Sequence, residues 1–518
     1  MGFHWKVLAW MAAGALVGML MQALLAAPAY TGLVVASEGD HVRVVSIAKG
    51  SPASARALAP GARLAAAIVD RGTPDEVRVP LDSEQALAAL LDVSENGAVL
   101  WMVPHPAPTG ADPAAGAVAL ALGMDPESPR AIWLAPFEFA ADIFLALLKM
   151  LIVPIVLTSI INGITGIGSM ADLRRLGGKT FGYYMTTSLL AILVGQVLVN
   201  LIRPGDGARL GLSPASPPGT GTDDSFIAVL KRMVPENIFG AMQDNGAMLS
   251  IIFFALLFGF FITRTDEPHR GRVRELFESL FEVVMRMAQG VLTLLPYGVF
   301  ALIVKVVAST GFAPFKALLL FMVTVLAALV IHAAVTLPIL LKTVGRVSPI
   351  AWFKAMSPAL MTAFSTSSSS MTLPVNLRTV EHRGRVSNKV TSFVLPLGAT
   401  INMDGTALYE CIGVIFLAQY YAGAGGYELT LGGQALVVIL ALLASVGAAG
   451  IPSAGLVMML TILAALDLPV EGAALLLAID RPLDMLRTVV NVWSDSCGAA
   501  VIARSEGEDG PLNPVGGV

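Results

Sequence analysis

One apolar stretch near the C-terminus carries most of the residues that could do chemistry. The segment IDRPLDMLRTVVNVWSD at 479–495 contains Asp480, Asp484, Arg487, Asn491 and Asp495. At about 100° per residue, these five side chains fall within a sector of about 80° on one helix face. Each charge at bilayer depth costs at least roughly 2.5–3.5 kcal/mol unless it is paired or solvated. The pattern therefore predicts a site for cations and for a ligand that carries its own charges.

The composition is typical of a membrane protein. Of 518 residues, 55% are hydrophobic and 14% are charged, whereas soluble domains carry about 25% charged residues. Several apolar runs approach the roughly 20 residues that a spanning helix needs. The two cysteines and six histidines form no CxxC or HExxH motif. We therefore expect a polytopic protein in contact with membrane lipid, with no cofactor, no catalytic metal and no nucleic-acid partner.

The N-terminal part predicts a first transmembrane helix within residues 1–29. Its apolar run, 7–27, ends at Pro28, and the small residues of LAAPA also fit a cleaved signal peptide. The run is longer than the core of a typical signal peptide, which favours a retained helix.

Residues 30–110 break the membrane pattern and predict a small α/β insert. Strand-like alternation occurs at 32–36, 42–47, 63–69 and 98–103. The stretch GSPASARALAPGARL at 50–64 resembles a PDZ domain, and a generic α/β domain is the alternative. Residues 111–136, rich in Pro, Ala and Gly, indicate a linker.

The remaining chain predicts inverted repeats around a central site. Uninterrupted apolar segments occur at 137–165, 180–203, 235–263, 272–309 and 314–341. Beyond them, 350–378 and 433–466 are interrupted at their centres, and full helices at 388–420 and 470–503 lie beside them; this arrangement is typical of inverted repeats. We therefore assign helices two to six to 137–345, a core with two hairpins and the last two helices to 346–505, and a cytoplasmic tail to 506–518.

Basic residues orient the chain. Their clusters are Arg174, Arg175 and Lys179; Arg264, Arg270, Arg272 and Arg274; Lys342, Arg346 and Lys354; and Arg378, Arg383, Arg385 and Lys389. The short segments 421–433 and 467–471 have no basic residue. Because basic short loops belong in the cytoplasm, we expect a cytoplasmic N-terminus and an extracytoplasmic insert.

Two polar motifs predict the tips of re-entrant hairpins. Six consecutive hydroxyl residues run from Ser365 to Ser370 and could offer backbone N–H and Oγ groups to an anion; a flexible linker is the alternative. SVGAAGIPSAG at 445–455 would let the backbone approach a ligand closely; a Gly-rich packing bend is the alternative.

Two further motifs indicate cation sites. In GATINMDGTALYE at 398–410, Asn402 and Asp404 would point about 200° apart on a continuous helix. Gly405 permits an unwound turn whose oxygens could bind a hard cation such as Na⁺, with a kinked structural helix as the alternative. The cluster YYMTTS at 183–188 on its own indicates helix packing more than a site.

Together these motifs resemble the dicarboxylate/amino acid:cation symporter family, the sodium-coupled glutamate and aspartate transporters. The resemblance covers about 137–503 and the first helix, and leaves the PDZ-like insert outside. It implies an all-α polytopic fold with eight transmembrane helices and two re-entrant hairpins. It also implies a homotrimer that works by elevator-type alternating access.

The resemblance also implies the site residues. The acidic amino acid would bind to Ser368, Ser369, Thr406, Ile451, Gly455, Asp484, Arg487, Thr488 and Asn491. Asp484 would hold the ammonium and Arg487 the side-chain carboxylate. Three sodium sites would use Gly398, Asn402, Asn491 and Asp495; Thr400, Met403, Ser445, Val446 and Ala448; and Tyr184, Thr187, Ser188, Asn402 and Asp404.

Glu410 resembles the proton carrier of the animal members, which implies that H⁺ moves with Na⁺. A structural, hydrogen-bonded protonated glutamate is the alternative. Relatives carry an additional arginine where this chain has Ser367 or Met485, which puts potassium countertransport in doubt.

The expected function is import of glutamate or aspartate with Na⁺ and H⁺ across a bacterial-type inner membrane. A C4-dicarboxylate symporter of the same fold is the alternative, but Asp484 favours a substrate with an ammonium group. An intramembrane protease is disfavoured because HExxH is absent and Ser453 lies in GIPSAG rather than GxSG. We therefore do not expect an enzyme. The PDZ-like insert could bind a C-terminal peptide by strand addition.

Overall fold

The computed structural model describes residues 3–55, 58–69, 71, 76–105, 116–165, 171–208, 210, 234–243, 248–423, 429–447, 454–466, 468–470 and 472–511. The described protein is predominantly helical, with a small sheet domain after the first helix. The helices outside that domain are α1 Phe3–Leu24, α3 Pro129–Thr165, α4 Ala171–Ile202, α5 Ile238–Gln243, α6 Met248–Arg264, α7 His269–Thr293, α8 Leu295–Thr310, α9 Ala313–Ile331, α10 Leu337–Thr343, α11 Pro349–Thr366, α12 Ser369–His382, α13 Asn388–Ile401, α14 Asp404–Gly423, α15 Leu431–Gly447, α16 Ala454–Ala465 and α17 Gly472–Ser505.

The insert is an antiparallel sheet with one helix. Its elements are β1 Ala29–Tyr30, β2 Leu33–Glu38, β3 His41–Ile47, a 3₁₀ turn Pro52–Ala55, β4 Arg63–Val69, β5 Val77–Pro80, α2 Glu84–Val93, β6 Val99–Pro104, β7 Val118–Ala121 and β8 Gly123–Met124. The main sheet has the order β2-β3-β4-β6-β7, with β5 paired to β4, and β1 pairs with β8 separately. All four predicted strands are present, and the likeness to a PDZ domain stays a prediction.

The expected linker at 111–136 differs from the structure. This range contains β7, which pairs with β6, and β8, which pairs with β1. The next helix begins at Pro129 and not at 137. Alanine and glycine have low strand propensity, so the sequence did not predict β7. This strand is held in the sheet by its pairing with β6.

Several helices are suited to a membrane. Within the described residues, four segments are long and apolar enough to span one: Pro129–Asn162, Arg175–Ile202, Pro314–Thr343 and Asn388–Gly423. A fifth results if His269–Val291 and Leu295–Thr310, bent by 51°, count as one span. The structure thus supports a polytopic membrane protein, and the number of eight spans stays a prediction.

The last third of the chain has the two interrupted segments that its sequence indicates. Helices α11 and α12 are separated at Ser367, which is left-handed with φ 50°. Helices α15 and α16 flank the second expected tip, and residues 448–453 of that tip lie outside the described part. Helix α17 packs against α11, α12, α13, α14 and α16. The polar face of α17 is therefore enclosed by the hairpins and by the α13–α14 segment.

The α13–α14 segment is broken at the predicted position. Helix α13 ends at Ile401 and α14 begins at Asp404, so Asn402 and Met403 form the connection. Asn402 has φ −97° and ψ 86°, which lies outside helical geometry. The break exposes backbone polar groups in a fully buried region, and such groups need partners.

Candidate functional site

The charged face of α17 is buried and internally paired. Arg487 is 0% exposed, and Asp480 and Asp484 are 1% and 5% exposed. The Arg487 Nη2 atom donates to Asp480 Oδ1 at 2.8 Å and to Asp484 Oδ1 at 3.0 Å. Arg481 Nη1 contacts Asp484 Oδ2 at 3.3 Å. Asp480 therefore holds the Arg487 guanidinium in place.

Two nitrogen atoms of the Arg487 guanidinium are available to donate hydrogen bonds to a ligand. Its Nε and Nη1 atoms are buried and have no hydrogen-bond partner among the described residues. The guanidinium carbon lies 3.8 Å from the centre of the Tyr409 ring, a distance typical of a cation–π contact. A guanidinium that is held through Nη2 and stacked on a ring, with donors on Nη1 and Nε still available, is suited to bind a carboxylate by charge-assisted hydrogen bonds.

Gly455 and Thr406 lie beside the Nη1 atom of the Arg487 guanidinium. A Cβ atom added at Gly455 would lie 3.5 Å from Arg487 Nη1 and 2.7 Å from Thr406 Cγ2. The close approach shows why glycine fits at the start of α16: a side chain there would enter the space beside Arg487. The structure thus brings three of the predicted substrate residues together.

Asn491 joins α17 to the broken turn. Its Oδ1 accepts a hydrogen bond from the Gly405 N–H at 2.8 Å, which satisfies a donor at the first turn of α14. Its Nδ2 lies 3.3 Å from Thr406 Oγ1 and 3.4 Å from Met403 Sδ. A Cβ atom at Gly405 would lie 2.7 Å from the Arg487 carbonyl oxygen, so this glycine permits the close packing of α14 on α17.

Asp495 and Asn402 form a second polar centre. Asn402 Nδ2 donates to Asp495 Oδ1 at 2.9 Å and to Ser494 Oγ at 3.0 Å. A Cβ atom at Gly398 would collide with Asp495 Oδ1 and lie 2.6 Å from the Tyr184 hydroxyl. Gly398, Asn402 and Asp495 therefore meet, as the resemblance implied, whereas the polar atoms of Asn491 contact the start of α14.

Asp404 lies in a third centre with the hydroxyl cluster of α4. Ser188 Oγ donates to Asp404 Oδ1 at 2.6 Å, and Thr187 Oγ1 lies 3.4 Å from Asn402 Oδ1. The Tyr184 hydroxyl donates to the Val394 carbonyl oxygen at 2.8 Å. Hard oxygen atoms thus surround Asp404, which is 0% exposed. The arrangement suits a small hard cation.

His332 belongs to this centre and was not identified as a site residue from the sequence. Its Nε2 lies 3.0 Å from Asp404 Oδ2, and both residues are fully buried. His332 opens a single π-helical turn, His332–Thr336, inside the span formed by α9 and α10. Such turns occur frequently at functional sites. A lone histidine within an apolar run was the available signal, but only the tertiary packing shows its partner.

The first hairpin tip presents the N-terminus of α12. Ser368 is its N-cap, and its Oγ accepts from the Met371 N–H at 3.2 Å. Ser368 and Ser369 are 2% and 4% exposed. The free N–H groups of a helix start, together with the helix dipole, favour an anion. Since α12 packs against α17, this tip is placed beside the helix that carries Arg487.

The structure describes only some of the remaining predicted site residues. Thr488 is buried and donates to the Asp484 carbonyl oxygen at 2.8 Å, and Ser445 is buried and donates to that of Leu442 at 2.8 Å. Thr400 is exposed and donates to the Leu397 carbonyl oxygen at 2.9 Å. Ala448, Ile451 and the Val446 side chain lie outside the described residues.

Comparison with known proteins decides the family. The sodium:dicarboxylate symporter family matches residues 115–505. The chain belongs to this family. It is 33% identical over 422 residues to the Excitatory amino acid transporter 3 of Mus musculus, covering 71% of this chain and 79% of that protein. It is 36% identical over 423 residues to the Excitatory amino acid transporter 2 of Rattus norvegicus, covering 70% of this chain and 72% of that protein.

Membership confirms that the chain is a transporter and not an enzyme. The matched region includes both hairpins, the broken α13–α14 segment and α17. The first helix and nearly all of the insert lie before it. The polar centres found in the structure therefore lie in the part of the chain that the family shares.

Proposed function

We propose that this sodium:dicarboxylate symporter imports acidic amino acids, glutamate or aspartate, together with Na⁺. The observation that supports this most directly is that Arg487 Nη1 and Nε are buried without a hydrogen-bond partner in the described part of the chain, on the same helix as the buried carboxylate of Asp484. A guanidinium suits a side-chain carboxylate, and a carboxylate suits an ammonium. The printed names of the relatives, excitatory amino acid transporters, point to the same substrate class.

Substrate binding would exchange partners within the α17 network. Arg487 Nη2 now bridges Asp480 and Asp484. The substrate ammonium would take one Asp484 oxygen, its side-chain carboxylate would accept hydrogen bonds from the Nη1 donors of Arg487, and Asp480 would keep the guanidinium oriented. Ser368 and Ser369, with Ile451, would receive the α-carboxylate. A C4-dicarboxylate has no group for Asp484, so this buried carboxylate favours an amino acid.

Sodium would bind at the centres around Asp404 and Asp495. Both carboxylates are buried, the Ser188 hydroxyl contacts Asp404 and the Asn402 amide contacts Asp495, and an uncompensated buried charge is costly. A bound cation lowers that cost and lets the hairpins close over the substrate. Asn402 contacts both centres. A cation bound at one centre would therefore affect cation binding at the other through this single side chain. Asn402 would in this way couple the two cation centres to each other.

For the assembly, we propose the arrangement that the resemblance implies. The hairpins with α13, α14 and α17 would move as a transport unit against a trimeric scaffold of earlier helices. The N-terminus would be cytoplasmic in a bacterial-type inner membrane. The insert would lie outside, where its PDZ-like sheet could take up a C-terminal peptide by strand addition.

Glu410 is proposed to carry a proton with sodium. Its carboxyl group is fully buried, and neither oxygen has a hydrogen-bond partner among the described residues. A carboxyl group in this setting is far less costly to bury when it holds a proton. We expect Glu410→Gln to remove the dependence of uptake on an inward proton gradient while sodium-driven uptake remains. Uptake by the variant that still responds to the proton gradient would assign the proton to another group.

A thermal-shift experiment on the purified protein tests the substrate class. A ligand that binds the folded state raises the melting temperature, and the rise increases with the ratio of its concentration to its Kd. We expect L-glutamate and L-aspartate to stabilise the protein in sodium buffer and to lose that effect in choline buffer. Succinate carries both carboxylates without the ammonium and serves as the matched comparison. Stabilisation by succinate that equals or exceeds that of the amino acids would favour the dicarboxylate alternative.

A further inference from the structure

The insert contains a histidine pair that the transport site does not use. His41 begins β3, directly after the two-residue turn Gly39–Asp40 that joins β2 to β3. His105 follows β6. Val42 and Pro104 are both in register with Leu64 of β4, which lies between β3 and β6 in the sheet. The two histidines are therefore near neighbours across β4.

Their rings are stacked beside a carboxylate. The ring centroids of His41 and His105 are 4.1 Å apart with an interplanar angle of 7°. His41 Nδ1 lies 3.0 Å from Asp40 Oδ1. Each of the three side chains offers a ligand atom, and these atoms lie within 4.8 Å of one another. Imidazole nitrogens with a carboxylate oxygen form a typical donor set for a divalent transition metal.

The hydrogen bond between His41 Nδ1 and Asp40 leaves the second ring nitrogen of His41, Nε2, for a ligand. Asp40 is an exposed carboxyl group, and an ionised carboxylate can only accept hydrogen bonds. His41 Nδ1 therefore carries the hydrogen, and in the neutral ring Nε2 has the lone pair. That Nε2 is buried without a partner among the described residues, and His41 is 7% exposed. A carboxylate that fixes the tautomer of a metal-binding histidine is a common arrangement.

We propose that His41 and His105, with Asp40 as the positioning carboxylate, form a binding site for a divalent transition metal such as Zn²⁺. Two nitrogens on one tetrahedral zinc, each about 2.0–2.1 Å from the ion, are roughly 3.3 Å apart. The lone pairs of two parallel rings lie in parallel planes. One ring must therefore tilt before both nitrogens can bind the same ion. His105 is only partly buried at the end of a strand and is the ring that can turn.

Zinc and cobalt titrations of the full-length protein in detergent test the site. We expect the wild type to bind one equivalent of Zn²⁺ through this cluster and to give the visible absorption of a Co²⁺–histidine complex. The double variant His41→Gln/His105→Gln should lose both signals, and Asp40→Asn should weaken binding by about 10–100-fold. His269→Gln changes an exposed histidine of α7 and should leave both signals unchanged.

Sodium-dependent uptake by these variants separates the metal site from the transport site. Uptake should be unchanged in His105→Gln, because that residue lies outside the polar centres of α14 and α17. Unaltered Zn²⁺ stoichiometry and affinity in the double variant would overturn the proposal, as would a wild type that binds no Zn²⁺. Loss of binding in His269→Gln would place the metal elsewhere and overturn it as well.

Discussion

Replacement of Arg487 by alanine should abolish uptake of glutamate and aspartate. The guanidinium is fully buried, its Nε and Nη1 atoms have no hydrogen-bond partner among the described residues, and Nη1 lies beside Gly455. Removing one partner of a buried charge pair costs about 2–5 kcal/mol, so affinity for an acidic substrate should fall by about 30-fold or more. Radiolabelled uptake into proteoliposomes measures the effect.

Two variants separate a binding defect from a folding defect. Arg487→Ala also leaves Asp480 and Asp484 without their shared cation, so Arg487→Lys is the conservative variant that keeps a charge. Lysine lacks the planar fork, and we expect weaker acidic substrate binding with a folded protein. Arg286→Ala changes an arginine that is exposed on α7 and paired with Glu282, and it should transport normally. Undiminished glutamate uptake by a folded Arg487→Ala protein would refute the assigned role.

Replacement of Asp404 by asparagine should raise the sodium concentration needed for half-maximal uptake by at least about tenfold. The carboxylate is fully buried between Ser188 and His332, and the loss of its charge removes the strongest attraction for a cation in that centre. A tenfold change corresponds to about 1.4 kcal/mol, well below the 2–5 kcal/mol measured typically for buried charge pairs. Sodium titration of substrate uptake gives the value.

The matched control for Asp404 is a carboxylate outside the core. Asp142 lies on α3, its side chain is 65% exposed, and its Oδ1 lies 3.4 Å from Lys305 Nζ. Asp142→Asn should leave the sodium dependence unchanged, since exposed pairs contribute little. His332→Asn should shift the sodium dependence as well, because it removes the group that now contacts Asp404 Oδ2. An unchanged sodium requirement in Asp404→Asn would exclude this centre from ion binding.

Much of the site could be predicted because helix periodicity fixes which residues share a face. The 80° sector of α17 followed from residue spacing alone, and Gly405 indicated a break in the α13–α14 segment, which the structure has at Asn402 and Met403, just before this glycine. Charges in an apolar run are informative because they are so costly there. These are local signals, and the sequence carries them directly.

The parts that could not be predicted depend on contacts between distant residues. His332 and Asp404 are separated by 72 positions, and nothing in the α9 sequence identifies its partner. Strand β7 has the sequence VALA, which has little strand propensity and is held in the sheet by pairing with β6. In each case tertiary packing overrode or completed a local pattern.

Accumulation of radiolabelled L-glutamate in proteoliposomes tests the central claim most directly. The purified protein is reconstituted, and an inward gradient of Na⁺ is compared with an equal gradient of choline at constant pH. We predict accumulation above equilibrium with Na⁺ alone, prevented by excess unlabelled L-aspartate, and no accumulation with choline. Equal uptake in the two gradients, or none in either by a folded protein, would contradict sodium-coupled transport of acidic amino acids.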